Sequence, residues 1–107
     1  MIDFVEMYYD NLNDNLGDDQ DTFNAKHKAL GKVIPHIVEN ELTKQQMNCF
    51  NAKYLQHKTQ QEIAELLHLS QPTVSRHINT ARDTVNNILK YCYLATTMGI
   101  SAYADNE

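Results

Sequence analysis

The sequence predicts an all-α fold: a small helical domain built around a pair of short helices and extended by a long C-terminal helix. Apolar residues recur at helical spacing along most of the chain, capping signals precede several of these segments, and no helix stop signal appears between residues 71 and 98. A length of 107 residues suits one small domain, and 42% hydrophobic with 21% charged residues is ordinary for a soluble globular protein.

Two helices are expected in the first 40 residues. Residues 3–12 form the first, which Asp3 and Glu6 would cap, and its apolar stripe consists of Val5, Tyr8, Tyr9 and Leu12. The polar residues 13–21 predict a loop. Residues 22–38 form the second helix, in which Pro35 is expected to cause a kink or an early end. Its apolar positions are Phe23, Leu30, Ile34, Ile37 and Val38.

A third helix is predicted from Thr43, which would act as its N-cap, to about Leu55. Its core candidates are Met47, Phe50, Ala52 and Tyr54. The last helix begins near Gln71 and continues to about Met98, before Gly99.

Residues 59–82 carry the pair of short helices. Thr59 and Glu62 have the spacing of a capping box at the start of the first, Ser70 can cap the second, and Pro72 fits in its first turn. Two apolar sets have helical spacing: Ile63, Ala64, Leu67 and Leu69 in the first helix, and Val74, Ile78 and Ala81 in the second. Helices this short must pack on each other and on a neighbour, so one face of the second stays free.

This arrangement is a helix-turn-helix, a motif whose second helix lies in the major groove of DNA. If residues 71–82 are the recognition helix and Val74 and Ile78 face inward, a polar face points outward. The candidate base contacts on it are Gln71, Thr73, Ser75, Arg76 and Asn79. Gln and Asn can pair bidentately with adenine, and Arg with guanine. Arg76 is the leading candidate, although a phosphate contact or no contact remain alternatives for it.

The candidate phosphate contacts are Lys44, Lys58, Thr59, Ser70 and Arg82. Each has a simpler alternative as a solvated or capping side chain, and for Ser70 the capping role is at least as well supported.

The stretch from Leu42 to Leu89, about 48 of the 107 residues, resembles region 4 of bacterial sigma factors and, more loosely, the LuxR-type domain. The residues that carry the resemblance are Leu42, Thr43, Gln45, Gln46, Phe50, Tyr54, residues 59–64, Leu67, Leu69, Ser70, residues 73–76, Ala81 and Arg82. His68 departs from the family, which usually has glycine at this turn. We therefore expect a positive φ at His68, which histidine tolerates better than most residues.

The net charge of −5 is unevenly distributed. Residues 1–25 contain seven acidic residues and no Lys or Arg, whereas residues 41–90 contain six basic and four acidic residues. The motif region is therefore mildly basic. Such a small excess predicts weak DNA binding by a monomer, with further affinity from dimerisation or from a protein partner.

Three segments are expected: an acidic N-terminal arm at 1–21 with at most one short helix, a helix-turn-helix domain at 22–99, and a frayed tail at 100–107. The residues 90–98 carry almost no charge, so this part of the last helix would either complete a core with the N-terminal helices or form a homodimer interface. Both interpretations are open.

No membrane segment or signal peptide is expected, and Cys49 and Cys92 are interpreted as reduced core residues of a cytoplasmic protein. The histidines and cysteines have no metal-type spacing, and no catalytic motif appears, so we expect neither a metal, nor another cofactor, nor an enzyme.

The predicted function is sequence-specific binding of double-stranded DNA by a transcriptional regulator. The resemblance further implies a bacterial or phage setting, in which the chain is either a compact regulator or a sigma-like accessory factor that contacts RNA polymerase. The acidic residues 1–25 motivate the second alternative, since such an arm could dock on a basic partner surface. The alternative is a protein-interaction module that keeps the fold without specific DNA binding.

Overall fold

The computed structural model describes residues 3–14, 21–95 and 98. They form five helices: α1 (Phe4–Asp14), α2 (Asp21–Glu41), α3 (Lys44–Tyr54), α4 (Gln60–Leu67) and α5 (Gln71–Leu94). No strand occurs in these ranges, and the predicted all-α class is confirmed. The chain divides into a terminal unit, residues 1–36 and 86–107, and a central unit, residues 37–85. The division into an arm, a domain and a tail stays a prediction.

In the terminal unit, α1 begins against the second half of α5. Phe4 and Val5 are buried, and the Phe4 ring lies 5.6 Å from that of Tyr93 between ring centroids. Leu89 is also buried, together with Leu30 and Ile34 of α2. The contact between Phe4 and Tyr93 agrees with the interpretation in which the extension of α5 completes a core with an N-terminal helix.

A buried amide, that of Asn86, completes the start of α1. Its Oδ1 accepts a hydrogen bond from the Val5 N–H at 3.0 Å, and its Nδ2 donates to Asp3 Oδ1 at 2.9 Å. Asp3 Oδ1 also accepts from the Glu6 N–H at 3.1 Å, as an N-cap does. Two of the N–H groups that a helix start leaves without intrahelical partners are thus satisfied, and the predicted capping role of Asp3 is confirmed.

Several predicted helix ends are wrong. α1 extends to Asp14 and α2 begins at Asp21, so residues 13, 14 and 21 of the predicted loop are helical, and residues 15–20 lie outside the described part of the chain. α2 continues past Pro35 to Glu41 because Ile37 and Val38, which follow the proline, are buried, and their burial offsets the lost backbone hydrogen bond.

The α-helical part of α5 ends at Leu94, and Ala95 and Met98 beyond it have π-helical backbone, so the end near Met98 stays a prediction. The predicted tail at 100–107 lies outside the described residues. Within the ranges that are described, no helix combines the length and the apolar character that a bilayer crossing requires.

Gly31 lies in α2 and faces the ring of Tyr8 from α1. A Cβ atom built on Gly31 would overlap the Tyr8 ring, so the two helices approach at a position without a side chain. Glycine costs helix stability at an interior position, and the close approach to Tyr8 gives a physical reason for its presence here.

We expect Gly31→Ala to lower the free energy of unfolding by up to about 2 kcal/mol, because overpacking costs about 1–3 kcal/mol and the gain in helix propensity is about 1 kcal/mol. In a Tyr8→Ala background the same substitution should stabilise by up to about 1 kcal/mol. Urea denaturation of the four proteins measures this coupling. Equal effects of Gly31→Ala in both backgrounds would contradict the overlap.

Candidate nucleic-acid interface

The core of the central unit is formed by three helices that enclose one apolar cluster. Its buried members are Cys49, Ala52, Ile63, Ala64, Val74 and Ile78, and Leu67 and Leu69 pack against it. Both predicted apolar sets of the two-helix unit thus take part in the core, and Ala81 is buried as well. Cys49 is a free, buried thiol whose pKa is raised by burial, as expected of a core residue, whereas Cys92 is free and only half-buried, so its predicted core position is wrong.

Capping boxes fix the starts of α3 and α4. The Glu62 N–H donates to Thr59 Oγ1 at 3.1 Å, and the Thr59 N–H donates to Glu62 Oε1 at 2.9 Å, as the sequence predicts. Thr43 caps α3 in the same way, with Gln46 as its reciprocal partner. Because both helices begin at defined residues, the side chains of their first turns are held in place.

The turn between α4 and α5 is built on His68. This residue has φ 58° and ψ 43°, so the predicted positive φ is confirmed. The N–H groups of His68 and Leu69 both donate to the Ala64 carbonyl, a pattern that closes the C-terminus of α4. Ser70 then caps α5: its Oγ accepts from the Thr73 N–H at 3.3 Å and donates to Thr73 Oγ1 at 2.8 Å.

One side of α5 is buried and the other faces solvent. Val74, Ile78, Ala81 and Val85 are at most 1% exposed. The predicted base-contacting residues lie elsewhere on the helix: Gln71, Arg76 and Asn79 are exposed, and Thr73 and Ser75 are half-buried. All five lie within the first three turns of α5, and their contacts with bases stay predictions.

The predicted phosphate-contacting residues lie on three elements. Lys44 is exposed at the start of α3, and Lys58 is half-buried next to Thr59. The hydroxyls of Thr59 and Ser70 both accept helix-capping hydrogen bonds, so each has a structural role whatever else it contacts. Arg82 is half-buried on α5. These phosphate contacts also stay predictions.

Two polar pairs at this surface were not predicted. Gln71 Nε2 donates to Gln60 Oε1 at 2.8 Å, which connects the first residues of α5 and α4. Arg82 Nη2 donates to Asn79 Oδ1 at 3.2 Å. The spacing of three residues between Asn79 and Arg82 would have been a usable signal, since such residues are neighbours on a helix. No local spacing indicates the pair between two helices.

Comparison with protein families gives a match in this region. Residues 40–85 match the family model described as Sigma-70, region 4. These residues form a sigma region 4 domain. The resemblance predicted for Leu42 to Leu89 is therefore confirmed, with the match ending at Val85. Comparisons with curated proteins and with solved structures give no significant match.

The region 4 domain contains all ten candidate contact residues, and its family is a non-enzymatic, DNA-binding helix-turn-helix family. Among the described residues, no group of three or more His, Cys, Asp or Glu side chains could hold a metal ion. The chemistry that this surface offers consists of amide, hydroxyl, guanidinium and ammonium groups, which are able to form hydrogen bonds with base edges and phosphates.

The left-handed backbone at His68 gives a test of the turn. We expect His68→Gly to leave the free energy of unfolding unchanged or raise it by up to about 1 kcal/mol, because glycine adopts this conformation without steric cost. His68→Val should lower it by about 1–2 kcal/mol. His77→Gly, within regular α5, is the matched control and should destabilise by up to about 0.5 kcal/mol, because glycine is the poorer helix former of the two. Urea denaturation measures these free energies of unfolding. A His68→Val variant that is more stable than the wild type would contradict the left-handed backbone at this turn.

The capping box of α4 should depend on pH. The hydrogen bond from the Thr59 N–H holds the pKa of the Glu62 carboxyl below its ordinary value of 4.5, with further contributions from the Thr59 side chain and from Lys58. A lowered pKa in the folded state stabilises the fold above pH 4.5, and this contribution is lost as the pH falls through the folded-state pKa.

We therefore compare the wild type with Glu62→Gln, whose amide oxygen accepts the same bond without titrating. The difference in their free energies of unfolding should be constant near neutral pH and should shift against the wild type below pH 4.5. Urea denaturation across this range measures it. A difference that does not change with pH would mean that the carboxylate does not hold this bond.

Proposed function

We propose that the chain is a sequence-specific, double-stranded DNA-binding regulator of transcription that places about residues 71–82 in the major groove. The observation that carries the proposal is the division of α5 within a region 4 domain: Val74 and Ile78 are buried, whereas Gln71, Arg76 and Asn79 are exposed on the same helix. An α-helix fits the major groove, and amide and guanidinium groups distinguish the base pairs there.

Arg76 is the side chain best suited to read a base. It is exposed, lies in the second turn of α5, and can donate two parallel hydrogen bonds to guanine O6 and N7. Asn79 lies one turn further along and can pair with adenine, while its Oδ1 accepts from Arg82. Lys44, Lys58, Thr59, Ser70 and Arg82 are proposed to contact phosphates around this helix.

The small number of cations implies that one domain binds DNA weakly. Residues 41–90 contain six basic and four acidic residues, and affinity for DNA depends on the number of phosphates that cations neutralise. A protein partner would supply the remaining affinity, and the family supports RNA polymerase as that partner.

A homodimer through the end of α5 is the second way to gain affinity. Tyr91 and Leu94 are 66% and 40% exposed at the end of α5, and Met98, which follows this helix, is 66% exposed. Tyr91 and Leu94 are three residues apart and give the end of α5 an apolar, solvent-facing side. Two copies joined there would present two recognition helices to DNA and double the phosphate contacts.

The test is selection of bound sites from random duplex DNA, followed by binding measurements at two salt concentrations. On the selected site, Arg76→Ala should cost about 1–3 kcal/mol and relax the preference at one base pair. Lys44→Ala is the control for a phosphate contact. It should weaken binding to all sequences alike and reduce the slope of the logarithm of affinity against the logarithm of salt concentration by about 1. Failure of the wild type to enrich any sequence would favour a protein-interaction module that keeps the fold without reading DNA.

A further inference from the structure

We propose that Gln60 of α4 is a positioning residue for Gln71 and that this pair selects an A·T base pair at the N-terminal end of the recognition helix. The inference rests on the proposed binding of duplex DNA. It adds a residue outside the recognition helix to the determinants of sequence preference, and it names the base pair that is read.

The pair connects two rigid points. Gln60 follows Thr59, the N-cap of α4, and Gln71 follows Ser70, the cap of α5, so both residues begin their helices. Gln71 Nε2 donates to Gln60 Oε1 at 2.8 Å across eleven residues of sequence. Gln71 is exposed and Gln60 is half-buried, so the Gln71 amide is accessible to a ligand while Gln60 holds it from the side of α4.

The direction of this hydrogen bond decides which base fits. A glutamine amide has two N–H donors and one carbonyl acceptor. Because Gln60 takes one N–H of Gln71, one donor and the acceptor remain. Adenine presents the complementary pair in the major groove: N7 accepts, and the N6 amino group donates. Guanine presents two acceptors, N7 and O6, and its O6 would face the Gln71 carbonyl oxygen.

Gln60 also disfavours the second orientation of the Gln71 amide, which would weaken the preference for adenine. A free glutamine amide can rotate about its last torsion and exchange its oxygen with its nitrogen, since that torsion is broad and roughly two-fold. The bond to Gln60 Oε1 requires the nitrogen of Gln71 on the side of α4. One orientation of the amide is thereby favoured before DNA arrives, and less side-chain freedom is lost on binding.

The experiment uses the full chain and the duplex site selected by the wild type. Affinities are measured for the wild type, Gln60→Ala, Gln71→Ala, the double variant and Gln61→Ala. Each protein is tested on duplexes carrying every base pair at the position that changes with Gln71→Ala, and on a duplex with 7-deazaadenine, which lacks the N7 acceptor. Gln61 is the matched control because it is an exposed glutamine one residue along α4, about 100° around the helix.

Gln71→Ala should reduce the preference for A·T about tenfold at one position. Gln60→Ala should reduce the preference at the same position about threefold, and it should have no further effect once Gln71 is alanine, since two residues in contact are coupled.

The 7-deazaadenine duplex should weaken binding of the wild type and leave binding of Gln71→Ala unaffected. Gln61→Ala should match the wild type. Gln60→Glu keeps an acceptor for Gln71 Nε2, so it should retain the A·T preference although its charge lowers affinity for all duplexes.

A purely structural role of Gln60 would weaken binding to all duplexes equally, with or without Gln71, and that result would overturn the proposal. So would a Gln71→Ala preference profile that matches the wild type, or a preferred base pair other than A·T. A wild type that selects no sequence at all would instead defeat the proposed function. Circular dichroism and urea denaturation of Gln60→Ala separate a loss of base preference from a loss of folded protein.

Discussion

The burial of Val74 and Ile78 is the constraint on which the proposed interface depends. These side chains lie with Ile63 and Ala64 of α4 in the core cluster, and full burial of each contributes about 1.5–3 kcal/mol. A typical hydrogen bond contributes about 1 kcal/mol, and exposed ones add less. The apolar contacts therefore set the rotation of α5 about its axis. The polar pairs at the surface then adjust side chains whose general direction is already determined.

Features that depend on local sequence could be predicted, because their causes lie within a few residues of one another. The capping box of Thr59 and Glu62, the cap at Ser70 and the positive φ of His68 all belong to this group. The apolar spacing that identified the core of the two-helix unit is local as well. Since these signals identify the region 4 domain, they also locate the candidate surface.

Features that depend on distant residues could not be predicted. The Gln60–Gln71 pair requires α4 and α5 to be packed first, and nothing in the spacing of these two glutamines indicates contact. The length of α2 was underestimated because Pro35 is an unfavourable local signal, and only the burial of Ile37 and Val38 after it overrides that signal. The proposed roles of Arg76 and Asn79 depend on a DNA sequence that the protein sequence does not contain.

The hydrogen bonds of Asn86 have a consequence for the order in which a nascent chain can fold. α1 is synthesised before α5, and the amide that accepts from the Val5 N–H follows 81 residues later. The central unit is continuous in sequence, whereas the terminal unit combines segments that precede and follow it. During translation the helix-turn-helix can therefore assemble while the start of α1 still lacks its partner, so α1 reaches its native contacts later than helices that are synthesised after it.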